Sequence, residues 1–296
     1  MENGKKKNEC MSNIVIDGRM INESGIGRYL RNLIFELQIL DKQNNYFILH
    51  LRPDYDNLVY RNKNFHKILA DFKWYTVSEQ IKLPVLLNKL NPDLVHFPHF
   101  NVPIFYRGKF VVTIHDLIHQ HFQMRRVTTH DPLTHNLKQF GYNMVFKNAL
   151  NMTEKIIVPS NYVKELLVRK WNVGETKIAV IYEGVDKNFS IGGKMSRGKS
   201  DEFLKKFHIQ KPFIFYVGNA HPHKNIEGLI EAFLQLKRHP GSYEVADEQA
   251  LSFGDRIYKS KDSIAPPSAG LQNDIKGLQL VLSGADNFFW KKIKSS

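Results

Sequence analysis

Lys224 closes a turn in the run FIFYVGNAHPHKNIEGLIEAF (Phe213–Phe233) that has the makings of an anion site. Phe213–Val217 is short, apolar, and rich in aromatic and β-branched residues, which predicts a strand buried on both faces. Gly218 and Asn219 follow in a polar turn, and then Ile226, Leu229, Ile230 and Phe233 recur at the i, i+3, i+4, i+7 spacing of one helix face. A strand, tight turn and helix leaves unpaired N–H groups at the helix start, where the helix dipole also favours negative charge. Gly218 lets the backbone come close to such a guest and Lys224 adds a full positive charge, so phosphate is the natural ligand. An ordinary βα turn with a solvent-facing lysine is the competing reading.

Two other stretches have residues suited to chemistry. Gly25 and Gly27 lie in Ser24-Gly-Ile-Gly-Arg-Tyr29, between a short strand, Ile14–Ile16, and a helix whose apolar face is Leu30, Leu33, Ile34 and Leu37. Leu30 stands where the third glycine of a G-x-G-x-x-G dinucleotide fingerprint would sit, so that fingerprint is incomplete. The glycine pair either admits a sugar or phosphate to the backbone or simply eases a turn. His115 and Asp116 end the apolar run Phe110–Ile114. In an open α/β sheet ligands collect beyond the carboxyl ends of the strands, which is where this pair would stand. His119 and His121 follow, but HDLIHQH matches no established metal-ligand spacing, and a loop with surface histidines is expected rather than a metal site.

These groups need a scaffold, and the chain supplies one by alternation. Strands are expected at Tyr46–Leu51, Asp93–Pro98, Lys155–Val158 and Ile178–Ile181. Helices are expected at Ser78–Leu90, kinked or shortened by Pro84, at 131–150, and after Ser160, a natural cap for a helix bearing Val163, Leu166 and Leu167. Residues 52–76 are polar and aromatic and resist assignment. Alternating strands and helices predict an α/β fold with a doubly wound parallel sheet. Residues 1–12 are expected to be a disordered extension, 13–188 a complete Rossmann-like domain, and 189–204 a linker. Residues 205–296 then form a partial second domain with a mobile insert at about 239–277, a strand at Leu278–Leu282 and a helix start at Asn287–Ile293.

Composition limits the classes of function. A chain of 296 residues with 42% hydrophobic residues can bury a real core, and 42 Lys and Arg against 29 Asp and Glu leave a formal charge of +13. That balance suits nucleotide phosphates, nucleic acid or an acidic membrane surface, although dispersed lysines also simply keep a surface soluble. The aromatics lie mostly in core-like runs and no nucleic-acid module is recognisable, so nucleic acid is not expected as a partner. Cys10 is the single cysteine, which rules out an internal disulfide framework. No apolar signal core follows the lysine-rich start, and no window reaches the roughly 18 apolar residues of a span. A cytoplasmic protein is expected, with any membrane contact peripheral.

Taken together and in order, SGIGRY, the strand ending in His115-Asp116, KIIVPSNYVKELL, IYEGVD and FYVGNAHPHKN resemble the family 4 glycosyltransferases of the GT-B fold, over residues 13–236 and 278–293. The resemblance implies two Rossmann-like domains, the N-terminal one receiving the acceptor and the C-terminal one, incomplete here, holding a nucleotide-sugar donor. It implies retaining transfer with no metal and no cofactor besides the donor itself; the expected acceptor is a sugar or lipid-linked saccharide, and any peripheral membrane contact is expected at the inner face. His115, with Asp116 beside it, is the expected catalytic position. Gly25, Gly27, Gly218 and Lys224 are the expected donor-binding positions, together with Asn219, which stands where many members have arginine. The family's E-x7-E segment should lie beyond the second strand of the C-terminal domain, and no such segment follows Leu278–Leu282 before Ser296. A truncated, non-catalytic protein, or one that depends on a completing partner chain, is therefore the alternative. Breaking a glycosidic bond to a diphosphate develops negative charge on the leaving group, and a preorganised cation with helix amides is what such a site needs.

Overall fold

The computed structural model describes residues 11–117, 132–185, 197–221, 224–238 and 278–283, which fall into two compact units, Met1–Ser190 and Ile191–Ser296. In the first unit the chain alternates β1 (Asn13–Asp17), α1 (Ser24–Leu40), β2 (Asn45–His50), α2 (Arg52–Asn57), β3 (Phe65–Leu69), α3 (Val77–Leu90), β4 (Leu94–Phe97), β5 (Phe110–Thr113), α4 (Pro132–Met152), β6 (Lys155–Val158), α5 (Asn161–Trp171) and β7 (Ile178–Val180). The strands form one seven-stranded sheet in the order β3-β2-β1-β4-β5-β6-β7, with every neighbouring pair parallel. Strand order reverses between β1 and β4, which makes their carboxyl ends the topological switch point of a doubly wound sheet.

Both faces of this sheet are covered, as the pattern of burial shows. Val15 and Leu49 enter one apolar cluster with Val95, Phe97, Val112 and Phe146. Their neighbours Ile16 and Ile48 enter a second cluster with Leu30, Ile34 and Phe65. Successive side chains of a strand point to opposite faces, so two clusters on alternate residues require helices on both sides.

Local chemistry sets the helix ends. Thr76 Oγ1 accepts from the Glu79 N–H (3.1 Å) and Ser160 Oγ from the Val163 N–H (3.3 Å), while Asn91 and Asn172 end their helices in the left-handed conformation. Pro84 does not shorten α3, which runs unbroken through it. Burial of Leu83, Pro84 and Leu87 outweighs the one backbone bond that proline removes. Residues 52–76 contain α2 and β3. Among the described residues β3 (FHKIL) is an edge strand paired only with β2, so it tolerates His66 and Lys67 and does not read as an apolar run.

The second unit contains α6 (Arg197–Lys206), β8 (Phe213–Val217), α7 (Ile226–Arg238) and β9 (Gln279–Ser283), with β8 and β9 parallel from Phe213↔Gln279 to Val217↔Ser283. Helix α6 begins at Arg197, within the stretch read as a linker, and the expected insert at 239–277 and helix at 287–293 lie outside the described residues. The expectation that β8 is buried on both faces is wrong. Phe215 and Val217 are each more than half exposed, because the packing that the described residues provide gathers Ala220, Ile226, Ile230 and Leu282 around Tyr216, which points to the opposite face.

Candidate functional site

The carboxyl ends of β4 and β5 bring together four aromatic and hydroxyl side chains. Thr113, the last residue of β5, lies 2.8 Å from His96 Nε2 and 3.1 Å from the Tyr29 hydroxyl, through the same Oγ1 atom. The Tyr29 ring sits edge-on to His115, with centroids 4.9 Å apart, and to His96 at 6.3 Å. Burial pushes His96 down to about 4, with nearby His115 adding to the effect and Asp17 opposing it. It is a neutral hydrogen-bonding group at neutral pH. Burial also raises the Tyr29 hydroxyl, which stays protonated.

His115 is held from both sides. Its Nδ1 is 3.0 Å from Glu183 Oε1, in the segment after β7, and its Nε2 is 3.0 Å from the Pro98 carbonyl oxygen. Both nitrogens thus face oxygens, and a neutral imidazole can donate through only one of them. Asp116 follows His115 on the exposed side of the loop, and the carboxylate paired with the imidazole is that of Glu183. His119 and His121 lie outside the described residues, among which no group of three or more His, Cys, Asp or Glu is placed to hold a metal.

A buried ionic network forms the adjoining wall. Arg19, just beyond β1, donates from Nε and Nη2 to the two oxygens of Asp17 (2.8 and 2.7 Å), from Nη2 to Glu79 Oε1 (2.6 Å) and from Nη1 to the Phe72 carbonyl (3.2 Å). Glu79 Oε2 accepts from the Asn101 amide (2.7 Å) and the Tyr75 N–H (2.8 Å). This single cluster ties together the ends of β1 and β4 and the start of α3. Tyr75, held at φ 58°, approaches His99 Nδ1 through its hydroxyl at 3.2 Å.

The glycine pair sits differently from its sequence reading. Helix α1 begins at Ser24, so Gly25 and Gly27 occupy its first turn rather than a preceding loop, and no side chain caps that end. A Cβ at Gly27 would lie 2.4 Å from the Ile21 carbonyl oxygen, whereas one at Gly25 would meet nothing within 4 Å. Gly27 is therefore needed for the helix to pack on its own entry loop, and Gly25 is the position open to a ligand. Gly27→Ala is expected to cost about 1–3 kcal/mol by overpacking against backbone. Gly25→Ala is expected to be neutral or stabilising by up to about 1 kcal/mol in the same urea titrations. Equal losses from both changes would contradict this division.

In the second unit Gly218 has φ 155° and donates its N–H to the Ser283 carbonyl (2.9 Å). A Cβ there would come 2.9 Å from the Tyr216 hydroxyl, which donates to the Asn219 carbonyl (2.9 Å), so the glycine leaves room for that bridge. Lys224 is exposed in the short turn entering α7, its N–H bonded to the His221 carbonyl (2.8 Å), and Ile226 anchors the helix start by full burial. Gly218, Asn219 and Lys224 thus share one βα turn, while Gly25, Gly27, His115 and Asp116 belong to the other unit.

Tyr29, His96, Thr113 and Glu183 were not singled out individually as site residues by sequence reasoning. Tyr29 and Glu183 do fall inside the SGIGRY and IYEGVD segments, and that is the signal that could have found them. Arg19 and Glu79 gave no signal, because their pairing spans 60 residues.

The seven-stranded doubly wound sheet, followed by a second strand–turn–helix unit, defines a fold similar to that of the GT-B glycosyltransferases. Residues 24–189, more than half of the chain, match Glycosyltransferase Family 4, and the chain belongs to that family. It is 26% identical over 163 residues to the O-antigen chain mannosyltransferase RfbU of Salmonella typhimurium strain LT2. That match covers 55% of this chain and 39% of the relative, so the chain matches about two fifths of that relative's length. Among solved structures, Anabaena Alr3699/HepE in complex with UDP-glucose superposes with a TM-score of 0.51 at 15% identity, over 76% of this chain and 57% of that one. The same protein with UDP and glucose gives 0.50 at 13% identity, over 93% and 70%. These likenesses establish the fold.

Proposed function

We propose that this chain acts in retaining transfer of a sugar from a nucleotide-diphosphate donor to a sugar or lipid-linked saccharide acceptor, at the inner face of a membrane. One observation carries this: within the span that matches the family, His115 stands at the carboxyl end of β5 with its ring fixed by Glu183 and the Pro98 carbonyl. A ring so fixed borders the donor sugar without having to be ordered during the reaction, which is how positioned groups lower a barrier. Gly218, the amides of the βα turn and Lys224 are the groups that would take up charge on the diphosphate as it leaves. Glu183 acts through His115 as a positioning residue, and Gly25 borders the ligand at the start of α1. No helix among the described residues is long and apolar enough to cross a membrane, and a peripheral protein fits that fact.

The test is donor-dependent sugar transfer by the purified chain, with the anomeric configuration of the product read by NMR. His115→Ala is expected to lower kcat/KM by about 10²–10³, in the range of other preorganised donors, and Lys224→Ala to raise the donor KM. Full activity in His115→Ala, or an inverted product, would sink the proposal. The exposed side chains of β8 favour a second reading, a non-catalytic or partner-dependent protein whose second unit is completed by another chain. Transfer that is absent from the folded chain but restored by added partner would establish it.

A further inference from the structure

Tyr75 is held in a conformation that a tyrosine adopts only at a cost. Its φ of 58° lies in the left-handed region, where a bulky side chain is an outlier, and its N–H is pinned there by Glu79 Oε2 (2.8 Å). Glu79 is itself fixed by Arg19 and Asn101, so the strained residue hangs from the buried ionic network. The ring nevertheless faces outwards. Tyr75 is 57% exposed, at the edge of an aromatic layer made with His99, Phe100 and Tyr142. Glycine fits this φ without strain, so it is the ring and not the turn that calls for a tyrosine here. Strain of this kind persists at ligand clamps, where the surrounding structure over-determines it.

The ring is also tied to the centre of the site. Its hydroxyl lies 3.2 Å from His99 Nδ1, and Pro98, immediately before His99, has its carbonyl oxygen 3.0 Å from His115 Nε2. The partner of Tyr75 and the partner of His115 are therefore consecutive residues. Partial desolvation raises the Tyr75 hydroxyl, with Tyr142, Glu79 and Glu23 adding to the effect, and the phenol stays protonated. Glu23 immediately precedes α1, so the ring and the turn that is open to a ligand at Gly25 lie within electrostatic range of each other.

An aromatic face is negative and attracts groups that present C–H bonds to it. The C–H face of a pyranose ring is such a group. A phosphate is not, and Arg19, the cation behind the platform, is already engaged by Asp17, Glu79 and the Phe72 carbonyl. We infer that Tyr75 stacks against the C–H face of the acceptor's sugar ring and selects acceptors by the stereochemistry of that face. An axial hydroxyl on the stacked side holds a sugar ring away from the phenol, so Tyr75 is a specificity-determining residue. Naming this sugar the acceptor rests on the function proposed above; the stacking rests on the ring alone.

The experiment is saturation-transfer NMR on the full chain, without donor, using the methyl glycosides of glucose, galactose and mannose as probes. Transfer to the C–H protons of one ring face, in at least one of these glycosides, is expected. Tyr75→Gly keeps the N–H bond to Glu79 and relieves the backbone, which offsets the packing lost. It is expected to weaken glycoside binding by about three- to tenfold, as the loss of one aromatic stack does, without lowering the urea midpoint. Tyr75→Phe keeps the ring and is expected to bind within about twofold of the native chain. No transfer to any of the three glycosides, undiminished transfer in Tyr75→Gly, or a loss in Tyr75→Phe as large as in Tyr75→Gly would overturn the inference. So would a lowered urea midpoint in Tyr75→Gly, which would make the ring a structural part of the wall, or saturation of uridine in place of the glycosides, which would make it a platform for a nucleobase. Glycoside binding needs neither donor nor turnover. A chain that binds glycosides on Tyr75 and transfers nothing fails the proposed function alone, and one that transfers sugar with an unchanged acceptor KM in Tyr75→Gly fails this inference alone.

Discussion

Arg19→Met is expected to destabilise the N-terminal unit by about 3–5 kcal/mol, which is a fall of roughly 10 °C in Tm. The reason is the geometry of the pair it leaves behind. Asp17 and Glu79 are both buried and both bonded to the one guanidinium, so its removal strands two carboxylates where water cannot solvate them. Burial already raises Glu79 above its ordinary value, against the opposing pull of Arg19. Without the arginine, one carboxyl is expected to take up a proton. A group whose folded pKa is raised contributes stability at low pH and loses it as pH rises through that pKa. The deficit of Arg19→Met relative to the native chain should therefore be larger at pH 7 than at pH 5. Urea titrations at the two pH values measure this, and a variant within about 1 kcal/mol of the native chain at pH 7 would show that the network is not what holds these elements. Loss of the network also frees Tyr75 and Asn101, so the wall of the crevice should loosen with it.

Acid is expected to unfold this unit through two histidines. His50 is held down to about 4, chiefly by burial, with Lys67 contributing and Asp54 and Asp17 opposing. Its Nε2 lies 2.6 Å from the Tyr60 hydroxyl, and its buried Nδ1 has no hydrogen-bond partner among the described residues. His96 is also held to about 4 by burial. Both start from an ordinary value of 6.5. Below that value the unfolded chain binds protons that the folded one refuses, so stability present above pH 6.5 is lost as pH falls towards 4. Each histidine contributes up to about 3 kcal/mol across that window. Unfolding free energies measured between pH 7 and pH 4 should show the loss, and His50→Gln/His96→Gln should flatten the curve. A native curve that is already flat would mean that these rings do not stay neutral in the folded chain.

Much of the fold was legible because its determinants are local. A buried parallel strand needs a short apolar run, and Lys155–Val158 and Phe110–Thr113 announced themselves in that way. A cap needs one hydroxyl at a helix start, and Ser160 supplied it. The turn from Gly218 to Lys224 and the placing of His115 at a strand end were equally local, since each depends on a few consecutive residues. Family membership could also be read, because its motifs are short segments in a fixed order.

Only the tertiary structure decided the rest. It showed that Gly27 meets a packing requirement, since the atom its missing side chain avoids belongs to the loop before the helix. It set Glu183 against His115, a pairing across 68 residues. Arg19, Asp17 and Glu79 became one buried network by the same means. It also showed that β8 is exposed on one face and that α3 presents Val77, Ile81 and Val85 to solvent. Periodicity reports that a face is apolar, but whether another element covers that face depends on contacts made by residues far away in the chain.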